Sequence, residues 1–186
     1  NLLLFVVDAS GSMGARGRMA ASKGAIMSLL LDAYRKRDQV AMIRKNKNGA
    51  VCNLPPTTSI DLAGKLLAEM PVGGRTPLSA GLAQCHQELR NYLVKNPSGQ
   101  PIVILLSDGK ANVALGEQKP LEESLALATA LAQHCPATFV VVDTEEPGLV
   151  SFGLARKLAT AMQARYCKID DLRAESLVNL VQEHSL

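Results

Sequence analysis

Tryptophan is missing from this chain, and only three tyrosines and three phenylalanines occur in its 186 residues. That scarcity removes most of the platforms on which single-stranded nucleic acid stacks. A formal net charge of +3 is too slight for a phosphate-binding surface. The four cysteines, Cys52, Cys85, Cys135 and Cys167, are scattered without a Cys-x-x-Cys pair. Buried thiols in a reducing compartment are expected, rather than disulfides or a zinc site. No apolar run approaches the roughly 20 residues needed to span a bilayer. The first apolar run lacks a basic start and leads directly into Asp8, so it is not a signal peptide. The expected setting is the cytoplasm.

Catalytic signatures are also lacking. No Gly-x-x-x-x-Gly-Lys-[Ser/Thr] segment is present to cradle a nucleotide, and the flanks of Ser10 and Ser12 do not form a Gly-x-Ser-x-Gly elbow. An aspartyl-phosphate enzyme of the haloacid dehalogenase type wants a second Asp at position 10, where this chain has Ser. His86, His134 and His184 fall in helix-like stretches or near their ends, which suits surface or packing roles.

What is present is an ordinary globular composition, 47% hydrophobic and 20% charged, long enough for one well-buried domain. We read residues 1–186 as a single domain. The chain opens on Asn already inside a strand, so a piece of a longer protein is expected. Leu2 to Val7 is apolar at every position, as a central parallel strand covered on both faces requires. Arg18 to Lys36 reads as a helix whose inward side carries Met19, Ile26, Met27, Leu30 and Leu31. Gln39 to Ile43 is a strand. Arg44 to Gly49 reads as a hairpin turn around Asn48-Gly49, and Ala50 to Leu54 as a short antiparallel edge strand. The basic residues there fit a charged edge that resists aggregation.

Pro55 to Thr58 reads as a rigid connector. Ser59 caps a helix from Ile60 to Glu69. Thr76 and Pro77 read as cap and first residue of a helix running to about Val94. Strands over Ile102–Leu106, Ala137–Val142 and Arg165–Ile169 then alternate with helices over Leu121–Gln133, Leu149–Met162 and Ala174–Glu183. The expected fold is a doubly wound α/β sheet, mostly parallel with one antiparallel edge strand, with helices on both faces.

The first strand ends in Asp8-Ala9-Ser10-Gly11-Ser12. In open α/β sheets ligands gather at the carboxyl ends of strands. A carboxylate and two hydroxyls at alternate positions offer oxygen alone, which suits a hard cation such as Mg²⁺ rather than zinc or copper. An Asx-type turn that merely caps the next helix is the bland alternative.

Asp-x-Ser-x-Ser after an apolar strand resembles the metal-ion-dependent adhesion site of von Willebrand factor A domains. The resemblance implies two further ligands, a Thr in a later loop and an Asp after a later strand. Thr76 in Gly73-Gly74-Arg75-Thr76-Pro77 and Asp108 in Leu105-Leu106-Ser107-Asp108-Gly109 match them. Within that family the chain is similar to the D subunit of magnesium chelatase and its cobaltochelatase relatives, through Arg18-Met19, Lys23-Gly24-Ala25, Arg37-Asp38-Gln39-Val40-Ala41, Leu54-Pro55-Pro56-Thr57 and Tyr166. The family usually places an apolar or aromatic residue where Arg44 stands, a departure that bears on the length of the second strand.

The likeness implies that Ser10, Ser12 and Thr76 touch the metal, with Asp8 and Asp108 acting largely through water. Mg²⁺ is the expected ion, and Mn²⁺ or Ca²⁺ suits the same oxygens. It implies a non-catalytic coupling domain whose bound ion meets an Asp or Glu of a partner. The implied partners are an AAA+ ATPase subunit and a large porphyrin-binding subunit, in an assembly that inserts magnesium or cobalt into a tetrapyrrole. The alternative is a von Willebrand A module of another AAA+ machine or of an adhesive protein.

Overall fold

The computed structural model describes residues 1–8, 18–46, 49–69, 77–145 and 153–169. Among these, the chain forms β1 (Leu2–Val7), α1 (Arg18–Lys36), β2 (Gln39–Asn46), β3 (Gly49–Thr57), α2 (Ile60–Ala68), α3 (Leu78–Lys95), β4 (Ile102–Ser107), α4 (Pro120–His134), β5 (Thr138–Asp143), α5 (Leu154–Ala161) and β6 (Arg165–Lys168). The six strands make one sheet in the order β3-β2-β1-β4-β5-β6. All neighbours are parallel except β2 and β3. This is the expected α/β fold. The expected helix over 174–183 lies outside the described residues.

Alternation along β1 splits the core in two. Leu3, Phe5 and Val7 face one layer with Ile26, Leu29, Leu30 and Ala33 of α1 and with Ala63 and Leu67 of α2. Leu2, Leu4 and Val6 face the other, against Leu82, Cys85 and Leu89 of α3 and against residues of α4 and α5. Every residue of β1 and of β4 is buried, which accounts for the unbroken apolar text of Leu2–Val7 and Ile102–Leu106. The cysteines are free, with Cys85 and Cys135 buried. No helix among the described residues is long and apolar enough to cross a membrane.

Four local expectations are corrected. Leu31 is 49% exposed, and Leu29 and Ala33 take the inward places on α1. At about 3.6 residues per turn, Ile26, Leu29, Leu30 and Ala33 form one stripe, and Leu31 is rotated out of it. The hairpin strands are longer than expected, with β2 reaching Asn46 and β3 reaching Thr57 through Pro55 and Pro56. Proline lacks an N–H, but β3 is an edge strand with one bonded side only. The register slips around Met42, which pairs with Leu54 while Val40 pairs with Thr57. Pro77 has ψ 66° and stands outside α3, which begins at Leu78. The helix expected from Leu149 begins at Leu154, because Gly153 is left-handed at φ 58° and breaks any run through it. Ser59 caps α2 as expected, its hydroxyl accepting from the Leu62 amide at 3.3 Å.

Candidate metal centre

The strand order places β1 beside β4, and the chains leaving these two strands diverge. The one after β1 leads to α1 on the first face, and the one after β4 leads to α4 on the second. A crevice opens where neighbouring strands send their connections to opposite faces, and sites form there. Asp8 follows β1 and Asp108 follows β4, one on each side of that crevice.

The two carboxylates are tied into the sheet. The Asp8 amide donates to the Leu106 carbonyl at 2.9 Å, extending the ladder one residue past β1. Asp8 is 6% exposed and Asp108 is fully buried. A buried carboxylate is costly unless its oxygens are satisfied. Ser107 Oγ donates to Asp8 Oδ2 at 2.8 Å. The same Oγ accepts from the Gly109 amide at 3.0 Å. Asp108 Oδ1 accepts from the Lys110 amide at 3.0 Å, and the Lys110 ammonium lies 3.4 Å from Oδ2.

A third carboxylate continues the row. Asp143 ends β5 opposite Ser107 and is 5% exposed. It accepts from the Glu145 amide at 2.7 Å and from the Tyr166 hydroxyl at 2.5 Å. Arg156 of α5 stacks over the Tyr166 ring, 4.3 Å from its centre. Burial, then the bond to Asp143, pushes the Tyr166 phenol up to about 12.

Backbone conformation holds the loop after Asp108 against α5. Gly109 has φ +74°, and a Cβ there would lie 2.3 Å from the Ala155 nitrogen. Further on, the amides of Leu115 and Gly116 both donate to the Glu123 carboxylate in the first turn of α4. A small cavity of about 20 Å³ adjoins Asp8, lined also by Val6, Arg44, Pro77, Leu78 and Gly81.

Of the residues the sequence singled out, Asp8 and Asp108 follow the ends of adjoining strands β1 and β4, while Ser10, Ser12 and Thr76 lie outside the described residues. The donors fit a hard cation: two buried carboxylates, oxygen only, at adjoining strand ends. No three His, Cys, Asp or Glu side chains gather to hold an ion among the described residues. Neutral hydroxyls would have to complete such a set. Sequence reasoning missed the parts played by Ser107, Lys110 and Asp143. Asp143 had a legible signal, a third apolar strand ending in a carboxylate.

A family model described as von Willebrand factor type A domain matches residues 3–110. Uncharacterized protein Rv2850c of Mycobacterium tuberculosis is 42% identical, over 98% of this chain and 28% of that protein. Uncharacterized protein MJ0910 of Methanocaldococcus jannaschii is 36% identical, over 90% of this chain and 95% of that protein. The magnesium-chelatase 67 kDa subunit of Heliobacterium mobile is 37% identical, over 97% of this chain and 28% of that subunit. The chain thus spans between a quarter and a third of the first and third of these relatives.

Two solved structures share the fold. The vWF domain of the type V pili tip protein Mfa5 from Porphyromonas gingivalis has a TM-score of 0.73 at 12% identity, covering 98% of this chain and 94% of that one. The SpRpn10 VWA domain has a TM-score of 0.66 at 12% identity, covering 96% and 93%. With the family model spanning more than half of its length and a sheet edge built as described, this chain belongs to the von Willebrand factor type A domain family.

Proposed function

We propose that this chain is a divalent-metal-binding interaction module of a magnesium-chelatase type of assembly, coupling an AAA+ ATPase to metal insertion into a tetrapyrrole. On this reading Asp8, Ser10, Ser12, Thr76 and Asp108 hold Mg²⁺, with Mn²⁺ or Ca²⁺ able to take its place. When bound, the ion supplies a coordination position for a carboxylate oxygen of another protein. The observation that carries the reading is the pair of buried carboxylates at the ends of adjoining strands, Asp8 after β1 and Asp108 after β4, with the Ser107 hydroxyl at the end of β4 bonded to Asp8. Pro77, which follows Thr76 in the sequence, lines the same cavity as Asp8 and adds support.

The chain's own residues do the positioning. Ser107 fixes Asp8 in one orientation. The backbone of Lys110 fixes Asp108. Hydroxyl ligands carry no charge, so a cation held mainly by them keeps the capacity to attract an incoming Glu or Asp. The domain contributes binding rather than bond chemistry, and ATP hydrolysis and metal insertion belong to the other subunits.

Similarity to a magnesium-chelatase subunit over 97% of the chain supports the assembly. A second reading, a von Willebrand A module serving another AAA+ machine or an adhesive contact, is favoured by one observation. MJ0910 is covered to 95% of its own length, so a related protein is hardly larger than this domain. Binding of the AAA+ ATPase and porphyrin-binding subunits, measured with Mg²⁺ and with EDTA, tests the proposal. Ser10→Ala or Thr76→Ala should weaken binding, and EDTA should weaken wild type while adding little to either variant. Equal affinity in Mg²⁺ and EDTA would rule out the bridging ion. Metal-dependent binding to neither subunit would favour the second reading.

A further inference from the structure

Lys110 follows Asp108 by two residues after β4, and the two side chains of this pair lie in different surroundings. Its side chain is 47% exposed, whereas the Asp108 carboxylate it approaches is wholly buried. The backbone amide of Lys110 already binds Oδ1, so the chain is anchored there without the ammonium. The ammonium of this half-exposed side chain lies 3.4 Å from Oδ2. It can withdraw into water at little cost, while the carboxylate cannot follow it.

We propose that Lys110 is a built-in competitor for the cation site, its ammonium standing over Asp108 until a divalent ion displaces it. The inference rests on the metal reading above and concerns what sets the ion's affinity. A monovalent ammonium and a divalent ion both draw on the negative charge of Asp108, and each repels the other. Binding of the ion therefore includes the loss of the Lys110–Asp108 pair. Removing the ammonium should tighten ion binding, although an ordinary supporting residue would loosen it when lost. In the loaded state the released ammonium stays on the exposed rim, where an acidic partner would meet it.

The test is calorimetric titration of the full chain with Mg²⁺, and separately with Mn²⁺, at fixed ionic strength. The proteins are wild type, Lys110→Gln, Lys110→Met and Lys110→Arg. Both neutral variants should bind about two- to fivefold more tightly than wild type, the range expected for loss of one half-exposed ion pair. Lys110→Arg should stay close to wild type. The rise in melting temperature on adding Mg²⁺ should also be larger in the neutral variants. Measurable ion binding by a neutral variant alone, with none by wild type, would support the proposal. If wild type binds the ion and the neutral variants bind it equally or more weakly, Lys110 is not a competitor, and the metal reading survives without it. If no protein in the set binds either ion, both readings fall.

Discussion

The hydroxyl of Ser107 and the carboxylate of Asp8 lie 99 positions apart in the chain and meet at 2.8 Å across the seam of β1 and β4. One oxygen of Ser107 thereby serves both strand ends. It donates to Asp8 and accepts from the amide of Gly109.

Ser107→Ala should therefore cost more than a surface serine would. It strips a donor from a buried carboxylate and an acceptor from a buried amide. A loss of about 1–3 kcal/mol is expected for such stranded groups. Chemical denaturation of wild type and variant measures it. A loss within about 0.5 kcal/mol, ordinary for a surface site, would mean that this bond does not organise the edge.

Two glycines give opposite expectations for the same substitution. Gly109→Ala places a methyl group 2.3 Å from the Ala155 nitrogen at a φ of +74°. Either α5 or the Asp108 loop must move, and a loss above about 1 kcal/mol follows. Gly24 lies within α1, and a methyl group added there would meet nothing within 4 Å. Gly24→Ala should stabilise by about 0.5–1 kcal/mol through helix propensity. Thermal melts of the two variants should move in opposite directions.

Tyr166 makes a prediction at high pH. Its folded pKa, about 12, lies above the ordinary phenol value of 10.0. A raised acid favours the folded state while protonated. That contribution is complete below about pH 10 and is lost as pH rises toward 12. Tyr166→Phe should remove this component, so its stability should fall less steeply than that of wild type between those limits. Denaturation midpoints across the range check it, and parallel curves would dissociate Tyr166 from the alkaline transition.

Ion binding should appear as stability. A cation that binds only the folded chain contributes about 2.7 kcal/mol at a hundredfold excess over its dissociation constant. Asp8→Ala should lose that increment. Without the ion it should lose less stability than Ser107→Ala, since it also removes repulsion from the nearby Asp108. Identical Mg²⁺ shifts in wild type and Asp8→Ala would exclude Asp8 from the site.

Much of this molecule is legible in its text. Leu2–Val7 and Ile102–Leu106 are apolar without interruption because both of their faces are covered, so composition alone marks them as central strands. Asp8 and Asp108 stand out as oxygen donors immediately after those strands. Ser10, Ser12 and Thr76 belong to the same pattern, and they lie outside the described residues. The hairpin reads too short in sequence because Pro55 and Pro56 forbid a central strand but not an edge, and only the strand order shows that β3 is an edge. Leu31 reads inward because hydrophobicity does not specify which of the three consecutive leucines, Leu29, Leu30 and Leu31, a helix turns toward its sheet. The sequence determined which segments are strands and helices and which oxygens stand at their ends, because backbone period and side-chain polarity are local properties. The tertiary structure alone decided that Ser107 holds Asp8 and that a half-exposed Lys110 pairs with a fully buried Asp108. Those relations depend on β1 lying beside β4 and on which side chains the packing leaves open to water.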